Sequence, residues 1–145
     1  MEYATPEDII KFKKRYSKLR PLTRTRKPNK QPENELQICC VNWFRYQYSA
    51  IGKLLFAIPN AGKRGRVNSA KMKASGITSG VSDLILLIRS KDLKYSSLCI
   101  EIKYGKSVQS EKQTEWQKLS EKNGNKYIVC NSFDQFKKEI EDYLK

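Results

Sequence analysis

Three residues in the middle of the chain have the types and spacing for hydrolytic chemistry. Asp83 opens the apolar run DLILLI, and Glu101 and Lys103 alternate within SLCIEIK. On a strand, side chains alternate between faces, so Glu101 and Lys103 share one face while Ile100 and Ile102 turn into the core. The polar stretch over residues 89–96 suits a hairpin loop between the two runs. A hairpin symmetric about Asp92 pairs Leu84 with Ile100 and so sets Asp83 across from Glu101 on the same face. A slip of one residue would put them on opposite faces. Two carboxylates roughly 5 Å apart at Cβ repel and destabilise a bare hairpin. A hard cation reverses that sign: Mg2+ or Mn2+ takes oxygen ligands, commonly one or two carboxylates plus water and a substrate phosphate. Lys103 would then orient or activate the attacking water and stabilise charge building on the phosphate. An isolated E-x-K says little, because alternating charges are common on solvated strands; the facing Asp83 is what raises it.

Composition narrows the alternatives. The chain contains no histidine, which removes Ser-His-Asp chemistry, histidine-metal nucleases and histidine general bases together. Hydrolysis here must run on carboxylates, lysine and a hard metal. Lys and Arg number 29 against 15 Asp and Glu, a formal net charge of +14, which favours nucleic acid as partner over a membrane surface. Even an apolar run such as Leu84 to Ile88 falls far short of the roughly 20 residues that span a bilayer. With no secretory hydrophobic segment after Met1, the chain is expected to be intracellular, in a bacterial or phage-infected cytoplasm. Cys39, Cys40, Cys99 and Cys130 show no C-x-x-C spacing and are expected to be buried free thiols.

At 145 residues the chain is long enough for one domain with its own core. Residues 1–32 are expected to form a basic arm, a short helix to about Lys18 followed by the Pro/Arg/Lys-rich linker LRPLTRTRKPNKQP, and residues 33–145 the folded domain. The domain opens with a helix from Glu33 to about Tyr48, whose stripe is Leu36, Cys40, Trp43, Phe44 and Gln47. A buried strand over Lys53 to Ile58 follows, then the basic loop NAGKRGR, a short helix to Ser75 closed by Gly76, and the Asp83/Glu101 hairpin. Ser110 and Gln113 form a capping box for a helix to about Lys122 that Gly124 ends. A strand over Lys126 to Cys130 and a final helix capped by Ser132, with Phe133, Phe136, Ile140 and Leu144 inward, complete the order.

Further residues surround the central three. Glu35 on the first helix could hold a second metal or its water, or simply complement the helix dipole. Gln113 could touch metal-bound water or the catalytic carboxylate, or only close its capping box. In the loop, Asn60, Lys63, Arg64 and Arg66 lie among glycines that let backbone approach phosphate, and Lys71 and Lys73 follow in the next helix; all six are candidate DNA contacts. Trp43 and Trp116 fall on helix faces and are read as core rather than base-stacking platforms.

Taken together, PNAGKRG, ASGITSGVSDLILLI, SLCIEIK, Ser110-x-x-Gln113-x-x-Trp116 and YIVCNS strongly resemble the VRR-NUC family, virus-type replication-repair nucleases of the PD-(D/E)xK superfamily, over about Glu35 to Leu144. The resemblance implies an α/β fold with a restriction-endonuclease-like core, a central mixed sheet flanked by helices in the order α-β-β-β-α-β. It implies metal ligands at Asp83, Glu101, the backbone carbonyl of Ile102 and Glu35, with Lys103 and Gln113 completing the catalytic set. Ser82 stands where the family usually has proline, and Ala61 where it usually has glycine; neither change removes a ligand. The resemblance also implies a Mg2+- or Mn2+-dependent endonuclease acting on branched DNA such as four-way junctions, as a homodimer. Two opposed cuts need two sites, which a two-fold dimer supplies. The competing readings are a non-catalytic basic nucleic-acid-binding module, which leaves the paired carboxylates without a purpose, and a sequence-specific restriction-type enzyme, which would need base-reading elements not evident here.

Overall fold

A computed structural model of the chain describes residues 32–59 and 71–145. The expected N-terminal helix and linker, apart from Pro32, and the loop residues Asn60, Lys63, Arg64 and Arg66 lie outside the described residues.

Helix α1 (Pro32–Gln47) starts on a proline, whose fixed φ and missing N–H suit a first turn, and carries Glu33 and Glu35 at its positive end. Cys40 and Phe44, one turn apart, are its buried residues. A 3-10 turn (Ser49–Leu54) leads into β1 (Leu55–Ala57). The longer strand expected from Lys53 is therefore shortened by that tight turn, and only Leu55 of β1 is buried, because β1 is the edge of the sheet. Residues 71–74 are helical, and Gly76 at φ 93° ends them, as the sequence suggests.

β2 (Leu84–Leu86) and β3 (Leu98–Ile102) pair antiparallel with Leu84 opposite Ile100, the register inferred from the sequence. Helix α2 (Glu111–Lys122) then crosses to β4 (Lys126–Cys130), which pairs parallel to β3, and α3 (Phe133–Leu144) follows. The result is a mixed four-stranded sheet, order β1-β2-β3-β4, flanked by helices, consistent with a PD-(D/E)xK-like nuclease fold.

Strand alternation divides the side chains between two layers. Leu98, Ile100 and Ile102 of β3 and Ile128 and Cys130 of β4 join Cys40 and Phe44 of α1 and Phe136, Ile140 and Tyr143 of α3 in one apolar cluster. Each fully buried large side chain there contributes about 1.5–3 kcal/mol. The opposite face carries Cys99, Glu101 and Tyr127 against α2: Cys99 Sγ meets Ser120 Oγ at 3.4 Å, and the Tyr127 ring lies 5.9 Å from that of Trp116. Trp43 meets Tyr48, Phe133 and Phe136 edge-on, as a core residue does.

Two details depart from expectation. Cys39 is exposed while the other three thiols are buried, because neighbours on a helix point about 100° apart and only Cys40 can face the core. On α3, Tyr143 is buried along with Phe136 and Ile140; its hydroxyl donates to the Ile88 carbonyl at 2.8 Å, so the polar tip that disguised it as a surface residue is satisfied inside. Among the described residues no helix is long and apolar enough to cross a membrane.

Candidate active site

The hairpin register carries Asp83, one residue ahead of β2, across from Glu101. Asp83 is held from two sides: its carboxylate oxygen Oδ2 accepts the Ile102 amide N–H at 2.9 Å, and its main-chain carbonyl accepts the Ile58 N–H at 2.9 Å. Ile102, expected to offer its carbonyl to a metal, thus touches Asp83 through its amide. The departure at position 82 is absorbed locally, since the buried Ser82 hydroxyl donates to the Leu84 carbonyl at 3.1 Å.

Glu101 is 1% exposed. Its Oε1 accepts from Lys103 Nζ at 2.8 Å and from Gln113 Nε2, while Oε2 accepts from the Tyr127 hydroxyl at 3.4 Å. Gln113 both contacts Glu101 and closes its capping box. Its Oε1 accepts the Ser110 N–H at 2.8 Å, closing the capping box, and this fixes the amide so that Nε2 faces Glu101. Burial raises the Glu101 carboxyl above the ordinary glutamate range; the Lys103 hydrogen bond opposes that, and the Asp83 charge reinforces it.

Stability should depend on pH with a definite sign. A carboxyl whose pKa is raised on folding contributes stability that is fully present below its unfolded pKa, about 4.3, and lost as pH rises through the folded value. With EDTA present, denaturant midpoints should therefore show a Glu101-dependent loss on going from pH 4 to 7. Asp83→Asn should shrink that loss, because one of its causes is gone; an unchanged loss would mean that the two carboxylates do not interact.

Asp83 also lines an open cleft of about 460 Å³, whose walls include Glu33, Asn34 and Gln37 of α1 and Tyr104 and Ser107 beyond β3. Glu33 Oε1 accepts the Tyr104 N–H at 3.3 Å, joining the helix to the end of the E-x-K strand. Glu35 is exposed and is not among the cleft residues. Helix periodicity explains this placement: Glu33 lies seven residues, two turns, before the buried Cys40 and extends the inward stripe, whereas Glu35, two positions on, points around the other side. The same stripe in the sequence would have singled out Glu33. Lys71 and Lys73 are exposed on their short helical segment.

The loop bearing Asp83 approaches the first turn of α2 at Gly80. There φ is 86°, and a Cβ would lie 2.4 Å from the Lys112 carbonyl oxygen. Gly80→Ala must either push the loop off α2 or strain its backbone. The expected result is a loss of about 2–4 kcal/mol of stability, measurable by urea titration, with wild-type stability as the contrary outcome.

Sequence reasoning did not find Tyr127 or Gln109. Tyr127 read as one more apolar strand residue, and Gln109, outside any regular element, gave no signal. Among the described residues, no group of three or more acidic, cysteine or histidine side chains is gathered tightly enough to hold a metal ion. The acidic side chains gathered here are the facing Asp83 and Glu101, with Glu33 lining the same cleft as Asp83.

Comparison with known proteins fits this architecture. The family model of the VRR-NUC domain matches residues 14–134. A solved structure described as a VRR_NUC domain protein is similar to the chain at 28% identity and a TM-score of 0.66, covering 77% of this chain and 86% of its own. Among curated proteins nothing matches. With most of its length matched by that model, and with the mixed sheet and the Asp83, Glu101 and Lys103 arrangement in place, the chain belongs to the VRR-NUC family, a family of nuclease type.

Proposed function

We propose that the chain is a divalent-metal-dependent endodeoxyribonuclease that cuts branched DNA, four-way junctions in particular, as a homodimer. The observation that carries the nuclease reading is the pairing of Asp83 with Glu101 at one end of the β2–β3 hairpin, with Lys103 Nζ against the same carboxylate.

The donor set fits Mg2+ or Mn2+. It is oxygen only, and Glu101 is a buried carboxyl whose ionisation is opposed both by burial and by the Asp83 charge, a deficit that a cation removes. Asp83 and Glu101 would hold the ion, and Glu33 lines the same cleft as Asp83. Such an ion supplies Lewis-acid stabilisation of phosphoryl charge and a water nucleophile at neutral pH. The chain's own residues do the rest. Gln113 locks the Glu101 carboxylate, the Ile102 amide locks Asp83, and the Lys103 ammonium stands ready to meet the phosphate.

Charge and size support branched DNA as substrate. A +14 chain of one domain binds phosphates placed in space by a branch rather than reading base edges. Substituting Lys63, Arg64 and Arg66 by Ala together should flatten the log-log salt dependence of DNA binding by about 0.9 for each phosphate that is no longer neutralised. An unchanged slope would remove that loop from the DNA interface. The decisive experiment is cleavage of end-labelled junctions, flaps and linear duplexes with Mg2+, combined with analytical ultracentrifugation. Junctions cut fastest by a dimer is the expected outcome. A monomer that nicks duplex equally fast would end the junction and dimer readings, and binding without any cleavage would favour a non-catalytic nucleic-acid-binding module.

A further inference from the structure

Behind Glu101, on the side away from Lys103, a line of side chains runs from the exposed end of α2 into the site. Gln117 Nε2 donates to Glu121 Oε1 at 2.9 Å, and Gln109 Nε2 donates to Gln117 Oε1 at 3.0 Å. The same Gln109 nitrogen donates to the Tyr127 hydroxyl at 3.3 Å, and that hydroxyl donates to Glu101 Oε2 at 3.4 Å.

The direction of every bond in this line is determined. A carboxylate only accepts, so Glu121 takes a hydrogen from the Gln117 amide and thereby turns the Gln117 carbonyl toward Gln109. The Gln109 amide must then present its NH2, which has two hydrogens, one for Gln117 and one for Tyr127. The Tyr127 oxygen is left as acceptor on that side, and its single hydrogen goes to Glu101. Tyr127 is only 7% exposed, and its ring lies against Trp116, so the hydroxyl has little freedom to turn elsewhere. A tyrosine hydroxyl titrates only at about pH 10, so at neutral pH the hydrogen stays on.

We propose that Tyr127, oriented by Gln109, is a positioning residue: the Gln109–Tyr127 line aims the Oε2 lone pairs of Glu101 while Lys103 and Gln113 occupy Oε1. The inference rests on the nuclease reading, because the carboxylate so aimed is the proposed cation ligand. It assigns the two oxygens different tasks. Oε1 is held by the groups on the Lys103 side, and Oε2 is the oxygen whose direction the α2 line controls.

The test compares Tyr127→Phe, Gln109→Leu and the double variant with wild type, reading Mn2+ binding by electron paramagnetic resonance as well as kcat and KM on a DNA junction. Removing a hydrogen bond behind a metal ligand typically costs 10–100-fold in metal affinity or activity, so Tyr127→Phe should weaken Mn2+ binding and lower kcat roughly 10-fold with KM for DNA unchanged. Gln109→Leu should do the same to a smaller extent and add nothing once Tyr127 is Phe, as expected of residues acting through one hydroxyl. Thermal midpoints within a few degrees of wild type would separate this from unfolding. If Tyr127→Phe loses stability but keeps wild-type Mn2+ affinity and kcat, the tyrosine only packs and the inference is overturned alone. If the wild-type protein neither binds Mn2+ nor cuts DNA, the inference and the nuclease reading fall together.

Discussion

Asp83→Asn and Glu101→Gln are each expected to abolish DNA cleavage while leaving the chain folded and able to bind DNA. The two carboxylates face each other through the hairpin register, and one of them is almost completely buried. Asparagine at 83 keeps an oxygen for the Ile102 amide, and glutamine at 101 keeps one for Lys103 and Gln113 while losing the acceptor that faces Tyr127, so most of the anchoring bonds survive. What disappears is a negative charge, and with it the repulsion that burdens the metal-free hairpin. Stabilisation of charge by a bound ion is worth several kcal/mol at the transition state, and each 1.36 kcal/mol is tenfold in rate, so turnover should fall by roughly 10²–10³ or more. Circular dichroism and DNA-binding titrations near wild type, beside the absence of cleavage, are the predicted pattern. Substantial cleavage by either variant would contradict the site.

Lys103→Met is expected to have the next largest effect, and a different signature. Methionine keeps much of the apolar stem of a side chain that is 10% exposed, and removes the ammonium 2.8 Å from Glu101. Turnover should drop by about 10²–10³, as for removal of a preorganised electrostatic interaction. Mn2+ binding at pH 8 should be retained, because the competitor for Glu101 Oε1 is gone. The ammonium had been holding the Glu101 pKa down; in its absence the carboxyl moves further up, and the acid limb of the rate profile should shift to higher pH. Loss of Mn2+ binding at pH 8 in step with activity would mean that Lys103 organises the site rather than acting on the phosphate.

The parts of the molecule most legible in the sequence were those governed by local rules. The Ser110/Gln113 capping box, the α2 and α3 helices and the alternation within β3 follow from periodicity and turn chemistry, which neighbours along the chain decide. The hairpin register was legible because a symmetric loop leaves few pairings that bury Leu84, Leu86, Leu98 and Ile100 together. Less legible were features that depend on what lies across space. β1 is shortened by the 3-10 turn that precedes it, which no residue in Lys53 to Ile58 announces. Glu33, rather than Glu35, reaches the cleft because of a helix phase that the resemblance alone did not fix. The partnership of Tyr127 with Glu101 depends on the parallel pairing of β3 and β4 and on α2 covering that face, so a strand tyrosine becomes part of the site only after the crossover has formed.

The central claim is that Asp83, Glu101 and Lys103 form a cation-dependent centre for phosphodiester hydrolysis. Its most direct test is the cleavage rate of an end-labelled four-way junction by wild-type protein in Mg2+, in EDTA, and in EDTA with Mg2+ restored in excess, beside Glu101→Gln prepared identically. Cutting in Mg2+, none in EDTA, recovery on restoring the ion, and none by Glu101→Gln throughout are the expected results. Equal cutting with and without EDTA, or by the variant, would contradict the claim.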